Sequence, residues 1–253
     1  MQPAVFRSFD VNTLKGRIEK IDEQIWRGPG GLPDPTMRAL GLAVTRECPA
    51  RDDMCELRSI FDAAQSWVRY TGDITGKDTY ASPLRTLQWG GGDCDDHVAL
   101  AALLAAENGF PVKARVTSNH GDTWDHIYAM AGIPKTSSKP TRWVALDTTL
   151  GRGRFAHEPG RAKFQDFTLL DHKESRRPRG SPSVQRATTS SKVKKLPLPG
   201  GGYFALPMPE SGVALGGATN VSTSSNWPVD ALAPRPGAPA SPRIPGRLLA
   251  PEL

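Results

Sequence analysis

Residues 87–109, LQWGGGDCDDHVALAALLAAENG, are the stretch whose reading decides the fold. Three glycines, Gly90 to Gly92, run into Asp93, Cys94, Asp95, Asp96 and His97, and an almost purely aliphatic segment follows from Val98 to Glu107. Asn108 and Gly109 supply the stop signal. The pattern predicts a buried helix with one cysteine at its mouth. Unpaired N–H groups and the positive dipole end at that position favour thiolate over thiol.

Upstream, Leu14, Ile18, Ile21 and Ile25 recur at helical spacing, so residues 13–26 read as a helix closed by the glycine-rich run 28–31. Asp34 and Pro35 start a second helix with Met37, Leu40, Gly41 and Val44 on one face, and Pro49 ends it. Asp52 and Asp53 cap a third, whose stripe of Leu57, Ile60, Phe61, Ala64, Trp67 and Val68 implies core packing and no chemistry. Residues 72–82 read as a loop, and residues 83–87 as a lead into the glycines.

Downstream of Gly109 the period changes from helix to strand. Residues 110–117, 124–130 and 142–147 alternate as strands, with a turn at Asn119 to Asp122 and a polar hairpin loop from Pro134 to Pro140. A helix followed by strands in sequence implies an α+β domain with an antiparallel sheet packed on that helix. Past Gly151 the pattern fades, and Phe155, Phe164, Phe167, Leu169 and Leu170 read as a strap over the domain.

Composition separates the chain into parts. Of its 253 residues, 25 are Gly and 23 Pro, and thirteen of the prolines fall from Pro178 onward. From Lys173 to the end there are 11 Lys or Arg against 4 Asp or Glu, whereas the first 172 residues hold 21 and 22. The net charge of +6 and the pI near 9.4 therefore describe the tail, and the folded part is nearly neutral. The expected organisation is an N-terminal helical extension over residues 1–50, a catalytic domain over 51–172, and a Pro/Gly/Ser-rich basic tail over 173–253. Such a tail buries too little apolar surface to offset its ordering entropy, so it is expected to be disordered or draped over a partner. Its charge would suit an acidic partner such as nucleic acid, although no aromatic residues interleave the basic ones. No apolar run is long enough for a membrane span, and the N-terminus lacks the apolar core of a secretory signal, so no membrane partner and a cytoplasmic or particle-associated protein are expected. Cys48 and Cys55 could pair only if the turn at Pro49 to Arg51 brought them together. A reducing compartment, with both as buried apolar side chains, is the simpler expectation.

Cys94, His126 and Asp147 supply, in that order, the parts of a thiol nucleophile: a sulfur, an imidazole that takes and returns its proton, and a carboxylate that holds the imidazole's tautomer. Three quoted stretches, GGGDCDDHVALAALLAAENGFPVKARV, WDHIYAMA and RWVALDTT, give the chain a resemblance to the transglutaminase-like superfamily of papain-type cysteine enzymes. Bacterial and phage transglutaminase-like domains, whose genes often lie among virion genes, are the most similar. The resemblance covers roughly residues 51–149. It implies a papain/transglutaminase-like core with the nucleophile helix packed on an antiparallel sheet, followed here by a long irregular C-terminal tail.

The resemblance also implies that Cys94 is the nucleophile, His126 the general base and acid, and Asp147 the orienting carboxylate. They would cleave or transfer the acyl group of a peptide or carboxamide through a thioester. The Cys94 N–H and a side-chain donor, Gln88 or Trp89, would meet the oxyanion. No cofactor is required by this chemistry. Acidic residues beside the cysteine bind calcium in related bacterial proteinases, which makes Asp93 and Asp95 calcium candidates. Otherwise Asp93, Asp95 and Asp96 cap the helix, at the cost of opposing a thiolate. His97 is expected to pack or hydrogen-bond one turn into the helix. His120, in a turn with Asp122, is set aside in favour of His126, whose direction a strand fixes. A protein or peptide is the expected substrate. The alternative is a structural or assembly protein of a phage-like virion that reuses the fold, its tail contacting neighbouring subunits or nucleic acid.

Overall fold

A computed structural model describes residues 13–27, 30–32, 34–72, 78–121, 123–151, 153–169, 192–209 and 219–221 of the chain. Three helices open it: α1 (Leu14–Arg27), α2 (Pro35–Thr45) and α3 (Asp53–Trp67). The caps are those their sequences call for. Asp34 accepts from the N–H groups of Thr36 and Met37, and Asp52 accepts from that of Cys55. Each helix buries its expected stripe, including Met37, Leu40 and Val44 in α2 and Leu57, Ile60 and Phe61 in α3.

Two short strands, β1 (Arg69–Tyr70) and β2 (Asp78–Tyr80), then lead to α4 (Pro83–Trp89), β3 (Gly91–Gly92) and α5 (Cys94–Glu107). The expected loop over 72–82 thus contains a strand. The residues taken as a lead into the glycines form a helix, which Ser82 caps and Pro83 starts. Every residue from Asp96 to Ala105 in α5 is buried, the mark of a helix sunk in the core rather than lying on it.

Strands β4 (Val112–Ser118), β5 (His126–Ile133), β6 (Arg142–Leu146) and β7 (Lys163–Thr168) form one antiparallel sheet in the order β6-β5-β4-β7. The strap read from Phe164 and Phe167 is therefore an edge strand pairing with β4, whereas Leu170 lies outside the described residues. One face of the sheet turns Val112, Ala114, Val116, Ile127, Ala129, Val144 and Leu146 into the same core as α5. The other carries Tyr128, Met130, Ala145 and Trp143 as a separate small cluster. Helices α1 and α2 pack on α5 within the main core.

The tail departs from expectation in one segment. β8 (Val193–Pro197) and β9 (Tyr203–Pro207) form a hairpin whose Leu196 and Leu206 are 1% and 0% exposed in the main core. Those two leucines find a place in the chain's own core. β10 (Thr219–Val221) pairs with β2, and residues 173–191 and 222–253 lie outside the described residues.

The cysteines also differ from expectation. Cys48 and Cys55 form a disulfide, with Cα atoms 5.7 Å apart. Between them Arg51, in the link from α2 to α3, takes a left-handed φ of 65°. The premise for a reducing compartment is thereby removed, since such bonds persist in oxidising surroundings. Cys94 is the free cysteine. Thiol titration in denaturant is expected to find one reactive thiol per unreduced chain and three after reduction. Three before reduction would contradict the bridge. No helix among the described residues is long and apolar enough to cross a membrane.

Candidate active site

The geometry around Cys94 begins in α4. Its last turn ends on Gly90, whose φ of 75° is left-handed and therefore suited to glycine. β3 follows, paired in parallel with Arg69 and Tyr70 of β1. At Gly92 a Cβ would lie 2.7 Å from the Cβ of Asp96, so only glycine lets the chain pass this close to the first turn of α5. Asp93 caps that turn by accepting from the Asp96 N–H, and the buried Asp96 carboxylate accepts from the Ala81 N–H at 2.7 Å. Cys94 is the first residue of the helix.

His126 opens β5 and Asp147 follows the end of β6. The two side chains meet: His126 Nε2 and Asp147 Oδ2 are 2.7 Å apart, both groups buried. The other oxygen of Asp147 accepts from the Thr149 hydroxyl at 2.6 Å and from the Thr149 N–H. The carboxylate is thus held at both ends. His126 Nδ1 is buried and has no hydrogen-bond partner among the described residues. What sets His126 apart is that the nitrogen opposite the unpartnered one is held by a buried carboxylate.

Electrostatics tie α5 to this pair. Burial pushes the Cys94 thiol well above its ordinary value, and Asp93 and Asp95 add to the rise. A backbone hydrogen bond from Ile127 works the other way, and Asp147 is near enough to raise the thiol further. The sulfur therefore lies by the start of β5 and within reach of Asp147's field, and its surroundings oppose ionisation.

His97 sits one turn into α5, its Nδ1 2.8 Å from the Thr148 hydroxyl. It packs and hydrogen-bonds as its position suggested. Burial lowers its pKa from 6.5 to about 4, against a smaller upward pull from Asp147. The unfolded chain therefore binds this proton near pH 6.5 and the folded chain only near pH 4. Stability present above pH 6.5 is lost as the pH falls through that window, by roughly 3 kcal/mol at most. Urea unfolding of His97→Gln should show that component of acid sensitivity removed, and an unchanged pH slope would contradict it.

The remaining candidates lie as follows. Gln88 donates its side-chain amide to the Pro207 carbonyl at 3.1 Å. Trp89 is 55% exposed, with the Arg85 guanidinium stacked 3.9 Å from its ring centroid. His120 is exposed. One carboxylate oxygen from each of Asp93, Asp95 and Asp96 lies within 4.8 Å of the others. Calcium takes about six to eight oxygens, so these three would form only part of a shell, and Asp93 and Asp96 already serve the helix start and the Ala81 backbone. The hydroxyls of Thr148 and Thr149 escaped the sequence reading. Their signal was there, two hydroxyl residues directly after a carboxylate, a pattern that favours local side-chain turns.

Residues 42–148 match the family model described as the transglutaminase-like superfamily. The match ends one residue past Asp147 and leaves α1, β7 and the β8–β9 hairpin outside. Among solved structures, the chain is similar to a candidate protease from Parabacteroides distasonis (10% identity, TM-score 0.38, 53% of this chain and 29% of that one). A candidate cysteine protease from Cytophaga hutchinsonii matches at 18% identity and TM-score 0.37 over 52% of this chain and 46% of that one. A structure described as a TGase matches at 17% identity and TM-score 0.31 over 60% and 37%. The chain thus spans less than half the length of each of these structures. No curated protein matches it by sequence.

Proposed function

We propose that the protein is a cysteine acyl-transfer enzyme in which Cys94 attacks a peptide or carboxamide carbonyl and water resolves the thioester. The observation that carries this reading is the state of His126, with Nε2 engaged by Asp147 and Nδ1 buried and unsatisfied. With Nε2–H donating to Asp147 Oδ2, the ring's lone pair is on Nδ1, ready for a thiol proton. Because burial and two aspartates hold Cys94 protonated, the proton moves to Nδ1 as the C–S bond forms rather than beforehand. The carbonyl oxygen takes the negative charge near the N-terminus of α5, where the Cys94 N–H is the backbone donor. On collapse the C–N bond breaks and the leaving amine takes the proton from His126. Water then attacks the thioester with His126 again as base, the C–S bond breaks, and the acid and the thiol are released. A lysine amine in place of water would give a crosslink by the same steps.

The test is acylation of the full chain by p-nitrophenyl acetate, which needs no known substrate. Folded protein should release one burst of nitrophenolate per chain and carry its acetyl group on Cys94 by peptide mass mapping. Equal acylation of Cys94 in folded and urea-unfolded protein would overturn the proposal.

A further inference from the structure

The hairpin outside the family match grips the segment that leads to Cys94. Lys194 of β8 places Nζ 2.6 Å from the Leu87 carbonyl and 3.3 Å from that of Gln88, the last carbonyls of α4. Helix C-terminal carbonyls lack intrahelical partners, and a cation there also meets the negative end of the dipole. The same Nζ lies 2.8 Å from where a Cβ on Gly90 would be, so the amine rests directly on the left-handed turn between α4 and β3. Two further bonds fasten the hairpin. The Trp67 indole donates to the Pro197 carbonyl at 2.8 Å, and the Gln88 amide donates to that of Pro207. On its other side, β3 is held by the Arg69 N–H to Gly90 and the Thr71 N–H to Gly92. Segment 87–93 is therefore clamped between β1 and the hairpin, and Cys94 is the next ordered turn.

We infer that Lys194 is a positioning residue for the nucleophile, holding the α4–β3 turn so that Cys94 stays seated beside His126 and Asp147. The inference rests on the reading of Cys94 as the reactive group. Burial of Lys194 lowers its pKa, as expected of an amine enclosed against carbonyls instead of water.

The test compares Lys194→Met, which keeps the stem and loses the donors, with Lys194→Arg, which keeps charge and donors. Two rates are read on the full chain at one pH. Alkylation of Cys94 by iodoacetamide requires access and ionisation of the thiol but no aligned imidazole. The His126-dependent part of acylation by p-nitrophenyl acetate, obtained by subtracting the rate in a His126→Ala background, requires alignment. Lys194→Met should raise alkylation at least threefold and lower the His126-dependent acylation at least tenfold, with Lys194→Arg restoring most of both. Unchanged rates would overturn the inference. So would a parallel fall in both with a lowered unfolding midpoint, the signature of a merely structural lysine. If the wild type shows no burst, the proposed function fails, and the alkylation comparison still decides whether the clamp seats Cys94.

Discussion

Replacing His126 by alanine should slow acylation of Cys94 by roughly 10²- to 10⁴-fold, and Cys94→Ala should abolish it. The expectation is large because the site has no other evident route to a nucleophile. Where a depressed pKa activates a thiol, removing the base leaves a thiolate that still reacts. Here burial, Asp93 and Asp95 all push Cys94 the other way, so the proposed mechanism needs a base at the moment of attack. Asp147→Ala tests the same arrangement from the far side. It frees the imidazole to rotate and to shift its proton to Nδ1, which removes the lone pair the thiol needs. It also deletes a charge that raises the thiol pKa, but that influence is the last of those acting on Cys94. Loss of orientation should therefore prevail, and the rate should fall. Asp147→Asn should fall less, since its carbonyl oxygen can still accept from Nε2–H. Acylation of His126→Ala at the wild-type rate would show that Cys94 is an ordinary thiol.

The parts of this arrangement legible in the sequence were those encoded locally. Glycines before a cysteine, an aliphatic helix behind it, a strand carrying His126 and another running up to Asp147 follow from period and punctuation alone. The structure then put His126 and Asp147 in contact and Asp147 within electrostatic reach of Cys94. What stayed hidden depends on distant or conformational facts. The Cys48–Cys55 bridge spans a link in which Arg51 takes a positive φ, a conformation its residue type rarely adopts and the sequence does not announce. α4 carried its own signal in Ser82-Pro83, but seven residues are too few for periodicity to register. The hairpin was missed because the apolar runs around Leu196 and at 203–206 are short and lie amid lysine, glycine and proline, and only the three-dimensional core shows that Leu196 and Leu206 are taken up by it. Gln88, chosen for its amide, has that amide occupied by Pro207, 119 residues away.

Leu206→Ala gives the sharpest measure of that hidden element. Leu206 has no exposure and packs in the main core with Leu196. Truncating a leucine so placed costs about 2–5 kcal/mol, from lost transfer energy and the cavity left behind. A residue in a solvated tail would cost less than about 0.5 kcal/mol. The two expectations differ by several-fold, so equilibrium urea unfolding separates them. Tyr203→Ala is the internal control, because Tyr203 lies on the same strand and is 68% exposed. A hairpin that belongs to the core predicts a large loss for Leu206 and almost none for Tyr203. Equal, small effects would return the hairpin to the tail and remove the footing of Lys194. The sites are also linked in one direction: loosening β9 releases Pro207 from Gln88 and Lys194 from the end of α4. Leu206→Ala should therefore raise iodoacetamide access to Cys94 even under conditions where the chain remains folded, and His97→Gln, which leaves the hairpin bonds intact, should not.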